Sequence, residues 1–183
     1  MAPGEERGFE DVTVAEIAER AGLTKRTFFR YFTDKREVLF AGAAALQDAM
    51  VAAVIDAPDD YSPIAAVVAA VQVGGAAVIQ YGEGARRRQA VIEASTELRE
   101  RELIKLAELT AALAGALQQR GVGDLAAALT AQAGIAVFTS ALGRWVGENG
   151  VRDYPELLEE SLVVLRAELT SPGVTPRPAR PRG

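Results

Sequence analysis

Cysteine and histidine are both missing from this 183-residue chain. Without the first there is no disulfide framework and no thiolate nucleophile; without the second there is no imidazole base, no Ser-His triad and no histidine-bearing zinc site. These two absences remove most enzyme classes. A carboxylate enzyme or a magnesium-dependent phosphoryl transferase passes the filter, but no Gly-Lys-Ser/Thr loop supports the latter. Neither a cofactor nor a metal is expected. Long apolar runs are lacking too. Hydrophobic residues make up 49% of the chain, yet Gln, Asp, Glu or Arg interrupts each run before the roughly 18 to 20 residues that a bilayer crossing takes. No membrane partner is expected. Met1 to Arg7 holds no basic stretch leading into an apolar core, so no secretory signal is visible and a cytoplasmic address is expected.

What is present is unevenly spread. The chain carries −5 overall, but Thr24 to Arg36 holds Lys25, Arg26, Arg30, Lys35 and Arg36 against Asp34 alone, which is +4 and leaves −9 for the rest. Such asymmetry points to a local anionic partner. The length suits one large domain or a small module on a medium one. Ala, Leu, Glu, Arg and Gln dominate, and apolar residues recur at helical spacing, so an all-α fold is expected. The pattern predicts helices over 13–20, 25–32, 35–55, 63–80, 84–95, 99–119, 124–148 and 155–169. Thr13 to Glu16 and Asp153 to Glu156 have the spacing of capping boxes, Ser62 precedes Pro63 as a cap before a first turn, and Gly121 to Asp124 separates two Ala/Leu-rich helices. Beyond Leu169 come Pro172, Pro176, Pro178 and Pro181 with Arg177, Arg180 and Arg182 and no aromatic residue. That composition buries too little to order itself, so 171–183 is predicted to be a disordered tail.

Val12 to Lys35 reads as two short helices joined by a tight turn. Val14, Ile17, Ala18 and Ala21 form one apolar face, and Gly22 supplies the left-handed backbone that ends the first helix. Ala18, four residues before Gly22, is short enough for two helices to cross closely. Thr24 can cap the second helix, on which Phe28 and Phe32 face inward while Lys25, Arg26, Phe29 and Arg30 share another face. Guanidinium groups beside an exposed ring suit DNA, because Arg reads guanine O6 and N7 bidentately and a ring can lie on a thymine methyl. Lys35 then opens the next helix, where the backbone N–H groups and the dipole also favour a phosphate.

At these residues the chain resembles the TetR family of regulators: Gly8-Phe9, Thr13-Val14, Ile17-Ala18, Ala21-Gly22, Thr24, Tyr31-Phe32 and Lys35 follow its DNA-binding pattern from Gly8 to Leu39. The resemblance implies a DNA-binding domain over 1–40 and a helical ligand-binding and dimerisation domain over 41–170. It implies that Lys25 and Arg26 approach base edges of double-stranded DNA while Thr13, Thr24, Thr27, Tyr31 and Lys35 hold phosphates. Two departures stand out. Phe29 occupies a position where the family often has Tyr, and the usual first helix looks missing, so either the true start lies upstream, which is the expectation, or the DNA-binding unit is supported differently.

Ile92 to Trp145 is similar to the sensor half of actinobacterial regulators of the mycofactocin-system type. That similarity implies a small-molecule effector of lipophilic, acyl-coenzyme-A-like character. Within 63–80, Gln72, Gly74 and Gly75 point either to a pocket or to a close helix crossing. Arg86-Arg87-Arg88 offers either phosphate contacts, with Arg87 as candidate, or a solvated surface. Val137 in one late helix and Leu158, Leu162 and Leu165 in the last form apolar stripes suited to a homodimer across a two-fold axis, as a palindrome reader requires, or to an internal core. The competing readings are a helical small-molecule-binding protein with degenerate DNA binding and a carboxylate enzyme, for which Glu93, Glu97 and Glu100 look like an ordinary charged helix region.

Overall fold

The computed structural model describes residues 12–171. Residues 1–11, where the usual first helix looks missing, and the predicted tail with Arg177, Arg180 and Arg182 lie outside the described residues. Within them every regular element is helical. Helix α1, Val14–Arg20, opens with the expected capping box: the Thr13 hydroxyl accepts from the Glu16 N–H, and the Glu16 carboxylate accepts from the Thr13 N–H at 2.8 Å. It closes at Gly22, φ +67°, where the Leu23 N–H reaches back to the Ala18 carbonyl at 2.8 Å. Helix α2, Lys25–Tyr31, is capped by Thr24, whose hydroxyl accepts from the Thr27 N–H at 3.1 Å.

The single helix expected over 35–55 is broken. Lys35–Phe40 is a 3-10 segment, capped by Asp34, which accepts from the Arg36 N–H at 2.7 Å and the Glu37 N–H at 3.2 Å; α3 then runs Ala43–Ile55. Gly42 weakens the helix at the join. The Leu39 carbonyl, which an unbroken α-helix would offer to the Ala43 N–H, accepts at 2.6 Å from Arg88 Nε, 49 residues away. A partner that distant carries no local sequence signal.

Four longer helices follow α3 with one short one among them. Helix α4, Pro63–Ile79, starts behind the Ser62 cap. It turns through 96° into α5, Glu83–Glu93, at Gly82, φ +50°. Helix α6, Thr96–Gln119, starts earlier than expected because Ser95 caps it, and α7, Asp124–Gly147, follows. Helix α8, Tyr154–Thr170, lacks the expected capping box: Asp153 makes no side-chain cap, and the Glu156 carboxylate turns to Arg152 at 3.8 Å. Helices α3, α4, α6 and α7 form a bundle, with α8 packed on α7 and α4. At its far end, Arg120 closes α3 by donating to the carbonyls of Ile55, Ala57 and Pro58 at 3.1, 2.5 and 2.8 Å.

Glycines set how closely these helices cross. A Cβ on Gly134 of α7 would lie 2.1 Å from Val67 Cγ1 of α4, one on Gly74 2.5 Å from Met50 Sδ, and one on Gly75 1.9 Å from the Tyr154 ring. The core from Met50 to Leu162 closes over those contacts. By length and composition alone, Lys35–Ile55 and Asp124–Gly147 are apolar enough to cross a membrane, so the interruption rule holds only for strict runs. The fold uses that apolarity internally: α7 buries Ala127, Ala131, Phe138, Ala141 and Trp145.

Candidate nucleic-acid interface and its joint to the helical body

Ala18 and Phe28 are each 1% exposed and lie between α1 and α2. Phe28 meets the Phe29 ring edge-on at 5.6 Å between centroids and Phe32 at 5.1 Å. One face of α2 is thereby pinned inward. Another face carries Lys25, Arg26, Phe29 and Arg30, all exposed, with Phe29 at 49%, and Tyr31 beside it is 64% exposed. Arg30 donates to the Tyr31 hydroxyl at 2.9 Å, and its guanidinium lies 4.8 Å from that ring's centroid. This surface can do two things: donate hydrogen bonds to an anion and lay an apolar ring on a flat partner.

The other expected phosphate holders are engaged locally. The Thr24 and Thr27 hydroxyls bond each other at 2.9 Å, and the Thr13 hydroxyl donates to Glu16 at 2.9 Å. Lys35 is half-buried, and its Nζ donates to the Val12 carbonyl at 3.3 Å. It ties the start of α1 to the 3-10 segment.

Sequence reasoning missed the joint below this surface. Arg101 of α6 pairs with Glu37 and approaches Asp34 at 3.9 Å, while Arg36 pairs with Glu97 of α6 at 2.5 Å. Arg88 of α5 holds the Leu39 carbonyl, lies 5.1 Å from the Phe40 ring centroid and pairs with Glu102 at 3.6 Å. Burial pulls the Arg88 pKa down, opposed by Glu102. Beneath these charges Phe40, Ile92 and Leu98 make a small buried cluster apart from the main core. The Nε atoms of Arg36 and Arg101 are buried with no hydrogen-bond partner among the described residues.

The candidate ligand residues are not gathered. Gln72 is exposed, Gly75 lies under the Tyr154 ring rather than beside an opening, and Arg87 pairs with Glu83 on the surface. Tyr154 donates to the Val71 carbonyl at 3.1 Å, and burial pushes its pKa up. The three consecutive arginines diverge, since Arg86 lies over Trp145 at 5.6 Å and Arg88 reaches the joint.

Of the expected dimer residues, Val137, Leu158 and Leu162 are buried inside the single chain and Leu165 is half-buried. Val137, Leu158 and Leu162 belong to the main core, with Leu165 packed against it. The outer faces of α7 and α8 show Leu125, Leu129, Val163, Val164 and Leu169 instead. Two open clefts lie there. One of about 570 Å³ is lined by Arg144, Arg152, Glu160, Val163 and Val164 among others. The other, about 230 Å³, includes Val137 and Leu165. Glu160 accepts from Arg152 and from Arg144, at 2.9 Å, and these bonds lower its carboxyl to about 2.

Residues 5–41 match the family described as bacterial regulatory proteins, tetR family, and residues 61–170 match the MftR C-terminal domain. The chain belongs to the TetR family. It joins a TetR-type N-terminal domain to an MftR-like helical body, in a family of regulators rather than of enzymes. A relative, the HTH-type transcriptional regulator TcmR of Streptomyces glaucescens, is 38% identical over 61 residues, which are 33% of this chain and 27% of that protein. The chain thus aligns with about a quarter of that TetR-family relative.

Proposed function

We propose that the chain is a ligand-responsive repressor that works in the cytoplasm as a homodimer on a palindromic operator in double-stranded DNA. Lys25, Arg26, Phe29 and Arg30 enter the major groove, and Thr13, Thr24, Thr27, Tyr31 and Lys35 flank it on phosphates. The observation that carries this reading is the α2 surface: Phe28 is buried behind it while two arginines, a lysine and a ring stand exposed in front. Lys35 reaches a phosphate by leaving the Val12 carbonyl. The partner subunit meets the outer faces of α7 and α8 through Leu129, Val163 and Val164, with Val137, Leu158, Leu162 and Leu165 supporting them from within. A lipophilic, acyl-coenzyme-A-like effector needs room beside Gln72 and Gly75, so Tyr154 must leave Gly75 when it enters, and Arg87 must exchange Glu83 for an anionic head. Release then follows from the effector's different affinities for the two arrangements.

The test is a titration of Arg26→Ala against the operator and a scrambled duplex over a range of salt. Loss of preference with little change on scrambled DNA is expected, because base contacts specify and phosphate contacts position. Equal losses on both duplexes would refute base reading by Arg26.

A further inference from the structure

We propose that Arg88 and Arg101 are positioning residues for DNA binding: from the body they grip the 3-10 segment Lys35–Phe40, and through it set the angle of α2. This inference rests on the DNA-binding reading above. The backbones of the α1–α2 unit and of the body approach one another only weakly, so side chains make the joint. Its charges are reciprocal. Arg36 on the reading side meets Glu97 on the body, and Arg101 on the body meets Glu37 and Asp34 on the reading side. Sliding that contact by a turn would bring like charges together, so the pattern selects one register. Arg88 adds a bond that does not depend on a partner's charge, to the Leu39 carbonyl, and stacks on Phe40. Asp34 links the two levels: it caps the 3-10 segment, it is approached by Arg101, and it lies three residues beyond the end of α2 at Tyr31. Whatever tilts this segment tilts the recognition helix.

In a dimer the two recognition helices must match half-sites about 34 Å apart, one turn of DNA. A firm joint makes the protein intolerant of altered spacing; a loose one makes it permissive. This distinguishes positioning from simple structural support.

Three variants test it: Arg101→Glu, Arg88→Met and the reciprocal swap Arg101→Glu with Glu37→Arg. Each is titrated against an operator selected from random duplexes and against versions one base pair longer or shorter between half-sites. Wild type should prefer the native spacing by about tenfold or more. Arg101→Glu and Arg88→Met should lose most of that preference with an unchanged salt slope, since no phosphate contact is removed, and the swap should restore it. Because the chain has no cysteine, spin labels at Glu19→Cys on α1 and Ala111→Cys on α6 report the joint directly in protein diluted with unlabelled chain. The distance distribution should be narrow in wild type, broad in Arg101→Glu and narrow again in the swap. Unchanged distributions in both single variants, or equal losses at every spacing without rescue, would overturn the proposal. If wild type binds no duplex, the DNA-binding reading fails, while the distance distributions still decide the joint.

Discussion

Residues 12–34 bury three hydrophobic side chains almost completely, Val12, Ala18 and Phe28, whereas the body buries a continuous core that includes Met50, Val67, Leu113, Phe138 and Leu158. The two regions hold their shape by different means. In the first, order comes from local hydrogen bonds: the Thr13–Glu16 box, the turn closed at Gly22 and the Thr24 cap. Such devices are worth about 1 kcal/mol each. In the second, order comes from helices brought close by glycines and filled by side chains from elsewhere in the chain. A unit that buries so few side chains has little core of its own, so its contacts with the body at Asp34, Arg36 and Glu37 bear on how it is held.

That contrast can be broken most strongly at Phe28. Phe28→Ala removes the ring around which α1 and α2 close and should cost about 3 to 5 kcal/mol. Hydrogen exchange should show α1 and α2 opening while α4, α6 and α7 remain protected. Loss of protection throughout would mean that the two regions melt as one unit.

A smaller effect is expected in the body. Gly75→Ala places a Cβ against the rigid Tyr154 ring and should cost about 1 to 3 kcal/mol by overpacking, read as a lower melting temperature. Gly74→Ala meets the flexible Met50 thioether instead and should cost less, since Met repacks readily. Equal shifts for the two would mean that Tyr154 yields as easily as Met50.

Local signals made residues 12–34 legible. Thr13, Gly22 and Thr24 act on neighbours within a few residues, and the inward Phe28 and outward Phe29 follow from helical spacing. The body's helices were visible for the same reason, with ends marked by Ser62, Pro63 and Gly121. What the sequence concealed depends on partners far along the chain. The break before Gly42 involves Arg88, and the joint needs Glu37 beside Arg101 across 64 residues. Gly74 and Gly75 announced either a pocket or a close helix crossing, but not that Tyr154 would lie against Gly75. Leu158 and Leu162 announced an apolar stripe, but periodicity does not say whether that stripe faces its own chain or a second one.

The smallest effect concerns Glu160. Its folded pKa of about 2 lies below the ordinary 4.5, so its bonds to Arg152 and Arg144 stabilise fully above pH 4.5 and fade as pH falls from there towards 2. The group is exposed, so the gain is modest and screened by salt. Unfolding curves of wild type and Glu160→Gln should converge across that window at low salt. Parallel curves would mean that the pairing contributes nothing.

Helix α6 also acts as a ruler. Arg101 near its start pairs beside the 3-10 segment, and Arg120 just beyond its end closes α3. Nineteen positions separate the two arginines, or roughly 28 Å of α-helix at 1.5 Å per residue. One residue inserted between them would turn one arginine about 100° away from its target, so lineages descended from this chain should tolerate loop insertions far better than any change in the length of α6. A graft of another regulator's DNA-reading end onto this body would need acids at the positions of Asp34 and Glu37, or the ruler would have nothing to measure from.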